Sequence, residues 1–161
     1  MAISSAEATA QQAFAEHEHR DLLPGLDRIH RVALAASGLL AADFSIALLD
    51  TLDWIEQTLD PHAAWEEALL YPELDRRTGT PWTTRLMVDE HRQIHELARR
   101  LEKDHDRLQH EPSREERAEM IGHLFALEAV LRGHLEREER FLLPLLETPA
   151  PPPSGSRSSR P

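Results

Sequence analysis

The feature that most constrains the fold is an eleven-residue pattern that occurs twice, 72 positions apart. Residues 62–72 read HAAWEEALLYP and residues 134–144 read HLEREERFLLP, so both contain His-x-x-x-Glu-Glu, an apolar stretch and a proline. The same shift places His19 on His91. The repeat therefore predicts two matching helical hairpins, each with one His on its first helix and His-x-x-x-Glu on its second.

Apolar residues recur at helical spacing through four long segments, and the chain has only six glycines. Pro61 interrupts the second segment, so we expect a kink or a one-residue break after Leu59. Short connections make neighbouring helices antiparallel, which predicts an all-α, up-down-up-down four-helix bundle with an internal two-fold repeat of hairpins. The predicted helices span about 5–36, 42–75, 81–110 and 114–146.

A length of 161 residues is typical of one domain with a proper core. We assign residues 1–147 to the helical bundle. Residues 148–161 read TPAPPPSGSRSSRP, a stretch rich in proline and serine that offers nothing to bury. This tail is therefore expected to be disordered.

The charge and cysteine content exclude several functions. A net charge of -11 would repel nucleic acid and anionic membranes, so we expect neither as a partner. The absence of cysteine excludes disulfides, thiolate metal ligands and thiol nucleophiles. No signal peptide or membrane-spanning run is recognisable, and a cytoplasmic protein is expected.

The two copies of His-x-x-x-Glu predict a metal site. Residues four apart on a helix share a face, so His62 and Glu66 can reach one ion together, as can His134 and Glu138. One such pair alone is usually a surface feature, but two copies in register with two further His are not explained that way. A carboxylate can bridge two ions, and ligation by nitrogen and oxygen without sulfur suits iron, manganese or zinc.

These residues resemble the hemerythrin-like, or HHE cation-binding, family of non-haem di-iron four-helix bundles, over about residues 14–146. The resemblance implies a centre of two iron ions, with manganese or zinc as substitutes. The chain departs from oxygen-carrying hemerythrins, which place Asp five residues after the last His, because it has Glu138 four residues after His134. The ligands that the resemblance implies are His19, His62, Glu66, His91, His95, His134 and Glu138.

The second half of the repeat has one His more than the first. His95 corresponds to Leu23 after the 72-residue shift. The ion at His91, His95 and His134 would then have three imidazoles, and the other ion only two. The resemblance implies that dioxygen binds at the resulting open position, which Leu23 would border.

Three functions remain open at this stage. The centre could bind or sense dioxygen, nitric oxide or peroxide, or it could be an enzyme that reduces peroxide or dioxygen, since both need an open iron. The third is iron storage by a ferritin-like protein, which is marked by Glu-x-x-His on two helices. Two copies of that spacing exist, ending at His19 and His105, but the 72-residue repeat does not relate them.

The remaining histidines are predicted to lie away from the metals. His17, His105 and His110 are expected at the surface because their surroundings are polar. His30 and His123 each lie eleven residues, or about 16 Å along the helix, from the proposed ligand of their helix. We expect them to form a hydrogen-bonded or partly solvated pair.

Overall fold

The computed structural model describes residues 5–147, with side chains from residue 12 onwards, so the predicted disordered tail lies outside the described residues. The described part consists of helices joined by short turns, with no strand in it, as the all-α prediction requires, and four long helical segments pack together as a bundle. None of these helices within residues 5–147 is both long and apolar enough to cross a membrane. The segments are α1 (Ser5–Ala35), α2 (residues 41–78), α3 (Trp82–Arg107) and α4 (Arg114–Arg137).

Helix α2 and the end of α4 are not uniform. Three turns are widened to the π-helical spacing, in which an N–H bonds to the carbonyl five residues back. Two of these π turns lie within α2, at Ile55–Leu59 and Glu66–Leu70. The third, Glu138–Leu142, follows α4 directly and leads into a 3₁₀ turn at Leu143–Glu147.

Each π turn is followed by a proline, namely Pro61, Pro72 and Pro144. Proline lacks an N–H, and its ring clashes with the carbonyl four residues back, so a regular α-turn is strained there. The residue before each proline donates instead to a carbonyl five positions back, from Asp60 to Ile55, from Tyr71 to Glu66 and from Leu143 to Glu138. The break expected after Leu59 is thus a widened turn, and the helix continues through Pro61.

The helix ends follow their sequence signals. Ser113 and Glu116 form a capping box at the start of α4, with the Ser113 N–H donating to Glu116 at 2.8 Å and the Glu116 N–H donating to Ser113 at 3.2 Å. Helix α2 ends at Gly79, whose φ of 71° is left-handed and suits glycine. Helix α3 begins at Trp82, whose N–H donates to the Thr80 hydroxyl.

The apolar interior consists of two clusters with a polar layer between them. The larger cluster fills the bundle from the α1–α2 connection to the level of Leu22 and Ile94. The smaller cluster lies beyond the polar layer and includes Ala15, Met87 and Leu142. Along α1 the order is Ala15, His19, Leu22, and α3 follows the same order with Met87, His91 and Ile94.

Candidate metal centre

The polar layer contains six of the predicted ligands. None of the six is more than 4% exposed, because each lies on the face of its helix that otherwise carries the apolar core. They form two groups of possible ligand atoms that share Glu66. The first group is His19, His62, Glu66 and Glu138, and the second is Glu66, His91 and His134.

Glu66 lies between the two groups, with one carboxylate oxygen facing each. Its Oε1 is 2.9 Å from His62 Nε2 and 3.4 Å from His19 Nε2. Its Oε2 is 3.2 Å from His91 Nε2 and 3.9 Å from His134 Nε2. This is the arrangement that a carboxylate needs to bridge two cations.

Glu138 also contacts histidines of both groups. Its Oε2 lies 3.3 Å from His19 Nε2 and 3.4 Å from His134 Nε2. The carboxylate of Glu138 is completely buried, as is that of Glu66. Two buried carboxylates side by side repel each other unless protons or a cation lie between them.

Several atoms of the layer are close to a neighbour but make no hydrogen bond. Among the side chains of residues 12–147, both ring nitrogens of His62 and Oε2 of Glu138 lack a hydrogen-bond partner. Buried polar atoms without partners are costly and rare in folded proteins. His62 Nε2 faces Glu66 Oε1 at 2.9 Å, so a cation held between these donor groups would satisfy Nε2 and the Glu138 oxygen. His62 Nδ1, on the other side of the ring, could not bind the same ion. The residues present therefore fit a bound metal ion.

Two of the π turns begin at the two carboxylate residues. The turn Glu66–Leu70 starts at Glu66 and the turn Glu138–Leu142 starts at Glu138. In both cases a proline six residues further on accounts for the widened turn. π turns are rare in helices and are concentrated at functional sites. The prolines of the repeat therefore shape the backbone that carries Glu66 and Glu138.

Carboxylates behind the histidines orient their rings. His91 Nδ1 donates to Glu67 at 2.8 Å, and His134 Nδ1 donates to Glu90 at 3.1 Å. A hydrogen bond at Nδ1 leaves the lone pair of Nε2 directed at the ligand groups, as in many metal sites. Glu139, the counterpart of Glu67, lies 3.4 Å from His19 Nδ1. Sequence reasoning assigned no orienting role to Glu67, Glu90 or Glu139, although the second Glu of each repeat was an available signal for Glu67 and Glu139.

The orientation of His62 differs from that of its counterpart His134. Arg137 donates to Glu90 and so holds the carboxylate that orients His134. The position corresponding to Arg137 in the first half is Trp65, whose ring lies 6.4 Å from that of His62, centroid to centroid. The first half thus places an aromatic ring where the second half places a guanidinium–carboxylate pair.

Tyr71 is a residue of the site that sequence reasoning missed. Its hydroxyl donates to Glu138 Oε1 at 2.5 Å and lies 3.3 Å from Glu66 Oε2 and 3.4 Å from His91 Nε2. Tyr71 is the only tyrosine in the chain. Its counterpart in the second half of the repeat is Leu143. The signal that could have identified Tyr71 was therefore its hydroxyl, which stands in an apolar stretch whose counterpart has none.

His95 and Leu23 were predicted at the centre, and the structure does not bring either to it. The His95 side chain is 46% exposed and its Nδ1 lies 3.6 Å from Asp60 Oδ1, while Leu23 is 43% exposed. The core-facing positions of α3 run through His91 and Ile94, so the residue four after His91 has turned towards the helix flank. The same rotation applies to Leu23 after His19. Each ligand group therefore contains two imidazoles in this structure, and the contrast between three and two stays a prediction.

The other histidines lie apart from the two ligand groups. His17 and His110 are exposed as expected, and His105 is half-buried. His30 and His123 do not pair with each other as predicted. His30 is 3.4 Å from Glu128 and His123 is 2.7 Å from Asp104, so each has a carboxylate partner of its own.

The electrostatics of the layer favour positive charge. Burial lowers the pKa of His19, but Glu138 and Glu66 outweigh it and raise that pKa to about 10. The pKa of His91 is likewise raised by Glu66 and Glu67 against the effect of burial. Burial and the Glu66 charge raise the pKa of Glu138, whereas the surrounding histidines, His134 first, lower that of Glu66 despite its burial. In the metal-free arrangement, these shifts of pKa favour bound protons at His19, His91 and Glu138.

A small cavity of about 10 Å³ lies beside the two groups, which is room for about one water molecule. A wider surface groove of about 610 Å³ lies outside it, between α2 and α3. Asp60 and His95 line both spaces and therefore stand between the groove and the cavity. The walls of the cavity include His62, His91, His134, Leu59, Ile94 and Leu135.

One protein family matches almost the whole described part of the chain. Its sequence model, the hemerythrin HHE cation binding domain, matches residues 12–146. No curated protein and no solved structure matches the chain. The matched range contains all six predicted ligands in the polar layer, from His19 to Glu138.

Proposed function

The chain belongs to the hemerythrin HHE cation-binding family, and from this we propose that it is a non-haem di-iron protein that binds or senses a small ligand such as dioxygen, nitric oxide or peroxide. The observation that carries the proposal is Glu66, whose two carboxylate oxygens face two separate pairs of histidines. A bridging carboxylate between two imidazole pairs is a ligand set for two ions, not one.

The two ligand groups divide the residues between the ions. One ion would be held by the first group and the other by the second, with Glu66 shared. Histidine and carboxylate ligands without sulfur suit iron, and manganese or zinc could substitute. When bound, such an iron pair supplies reducing electrons and open coordination positions to a small ligand.

The size and lining of the cavity support a small ligand. About 10 Å³ beside His62, His91 and His134 is room for about one water-sized molecule, which favours a very small ligand over larger substrates. The apolar lining by Leu59, Ile94 and the neighbouring residues limits water near the centre. These side chains thereby protect a bound ligand from protonation and loss.

Metal analysis tests the metal part of the proposal. Protein produced in iron-replete cells should contain close to two iron ions per chain. His62→Ala should lower the iron content sharply, because His62 belongs to the first ligand group. His110→Ala is the matched control, since His110 is exposed and lies outside both groups. Metal-free protein that cannot be loaded with iron would contradict the proposal.

Rapid mixing of the di-ferrous protein with dioxygen and with peroxide tests the small-ligand part. A spectral change that reverses when the gas is removed supports binding or sensing. Many turnovers of peroxide per chain would instead support the alternative of a di-iron enzyme.

A further inference from the structure

We propose that Tyr71 is a ligand of the second ion, completing the group formed by His91, His134 and Glu66. The inference rests on the proposed di-iron function and assigns a further donor to it. Tyr71 is 2% exposed, and its hydroxyl lies inside the polar layer. The hydroxyl contacts Glu66, His91 and Glu138, which come from three different helical segments.

The two ligand groups are unequal without Tyr71. The first contains two histidines and both glutamates, and the second contains two histidines and Glu66 alone. His95, which could have supplied the missing donor, points to Asp60 and is nearly half exposed. The Tyr71 hydroxyl is the additional oxygen that lies beside the second group.

The distances within the second group fit a shared ion. Glu66 Oε2 and His91 Nε2 are 3.2 Å apart, as are the Nε2 atoms of His91 and His134. The Tyr71 hydroxyl extends this set at 3.3 Å from Glu66 Oε2 and 3.4 Å from His91 Nε2. Nitrogen and oxygen ligands bind transition metals at about 2.0–2.2 Å, so neighbouring donors of one ion lie roughly 3.0–3.5 Å apart.

The surroundings of Tyr71 fix the hydroxyl at this position. The phenol ring stacks on His91, with centroids 5.7 Å apart and an interplanar angle of 25°. Its other neighbours belong to the smaller apolar cluster, which includes Leu74 and Leu142. The ring is therefore held against the second group by packing as well as by its hydrogen bond.

Ligation would exchange the hydroxyl proton for the ion. Glu138 Oε1, which accepts the hydrogen bond at 2.5 Å, is placed to take that proton, and the phenolate oxygen that remains would be the donor to the metal. A phenolate is a hard, anionic donor and stabilises the ferric state. Because the counterpart position is Leu143, only one of the two ions gains this ligand, and the two ions should differ in their ease of reduction.

Resonance Raman spectroscopy of the ferric protein tests the proposal directly. A ferric phenolate absorbs visible light by charge transfer, and excitation in that band enhances tyrosinate vibrations. Since Tyr71 is the only tyrosine, any such vibration comes from it. We expect tyrosinate modes and the visible band in the parent protein, and loss of both in Tyr71→Phe. Leu143→Ile, the matched change at the counterpart position, should retain both.

Iron content separates the failure of this proposal from failure of the di-iron function. A parent protein with two iron ions but no tyrosinate modes would overturn the ligation by Tyr71 and leave the di-iron centre standing; Tyr71 would then be only a hydrogen-bond donor to Glu138. A parent protein without iron would overturn both. A Tyr71→Phe variant that keeps its iron and loses the visible band would support both the di-iron function and the ligation by Tyr71.

Discussion

Gly25 and Trp54 provide a sharp test of how α1 packs on α2. Gly25 lies within α1, and a Cβ built on it would be 2.1 Å from Trp54 Cε2, 2.3 Å from Cζ2 and 2.4 Å from Nε1. The indole of Trp54 is partly buried against the larger apolar cluster. Gly25 is therefore present because the ring occupies the space that any side chain would need.

Two opposing effects determine the consequence of Gly25→Ala. Alanine is favoured over glycine within a helix by roughly 0.5–1 kcal/mol. Carbon atoms in ordinary contact are about 3.5–4.0 Å apart, so the ring would have to retreat by about 1.5 Å from its 2.1 Å approach. Overpacking of this kind costs about 1–3 kcal/mol, and we expect a net loss of about 1–2 kcal/mol in the free energy of unfolding.

Urea denaturation followed by far-ultraviolet circular dichroism measures this change, with metal content kept equal. Gly122→Ala is the control, because Gly122 lies within α4 and nothing is within 4 Å of its would-be Cβ. That substitution should stabilise the protein by about 0.4–1 kcal/mol. The two identical substitutions should thus have opposite signs, and Trp54→Leu should remove most of the cost of Gly25→Ala.

Equal stabilisation by Gly25→Ala and Gly122→Ala would refute the reasoning, since it would mean that the indole of Trp54 does not lie against Gly25. A loss for Gly25→Ala that persists in the Trp54→Leu background would also count against it. In that case the cost would arise from the backbone of α1 near Pro24 and not from the ring.

Three further predictions follow from the site. Glu67→Gln should weaken apparent metal affinity about 10–100-fold in a competition assay with a chelator, because it weakens the orientation of His91, whereas Glu136→Gln at the surface should not. Removing the metal should lower the melting temperature in calorimetry, since the buried ligands then lack a cation; equal melting temperatures would argue against a central site. Leu23→His should leave iron content and azide binding as in the parent, because that side chain is largely exposed; an altered azide spectrum would show that it reaches the centre.

The helices and six residues of the polar layer could be predicted from the sequence because the signals are local. His62 and Glu66 are four residues apart on one helix, and the repeat at His134 and Glu138 indicates that this spacing is not accidental. The apolar spacing then indicates which face of each helix turns inward. The burial of these residues agrees with both kinds of signal, and their role as ligands stays a prediction.

The positions that sequence reasoning misplaced depend on helix rotation, which a spacing of four residues does not determine. Four residues advance an α-helix by about 400°, so His95 lies about 40° away from the direction of His91. A rotation of this size is enough to move a side chain from the polar layer to the exposed flank of the helix. Conversely, the π turn Glu66–Leu70 changes the rotation of the residues after it, and this brings Tyr71 inward five positions after Glu66.

The polar layer between the two apolar clusters bears on how the protein opens in solution. Among the side chains of residues 12–147, the smaller cluster, which includes Tyr71, Leu74 and Leu146, is separated from the larger one by that layer of charged and imidazole groups. Cooperative units in proteins tend to coincide with continuous apolar packing, and smaller units open at lower free energy. Amide hydrogen exchange in the metal-free protein should therefore be faster around Tyr71 and Met87 than around Leu101 and Leu124. A cation that joins all four helices at the layer would couple the two parts into a single cooperative unit, so that metal binding protects amides well beyond its ligands.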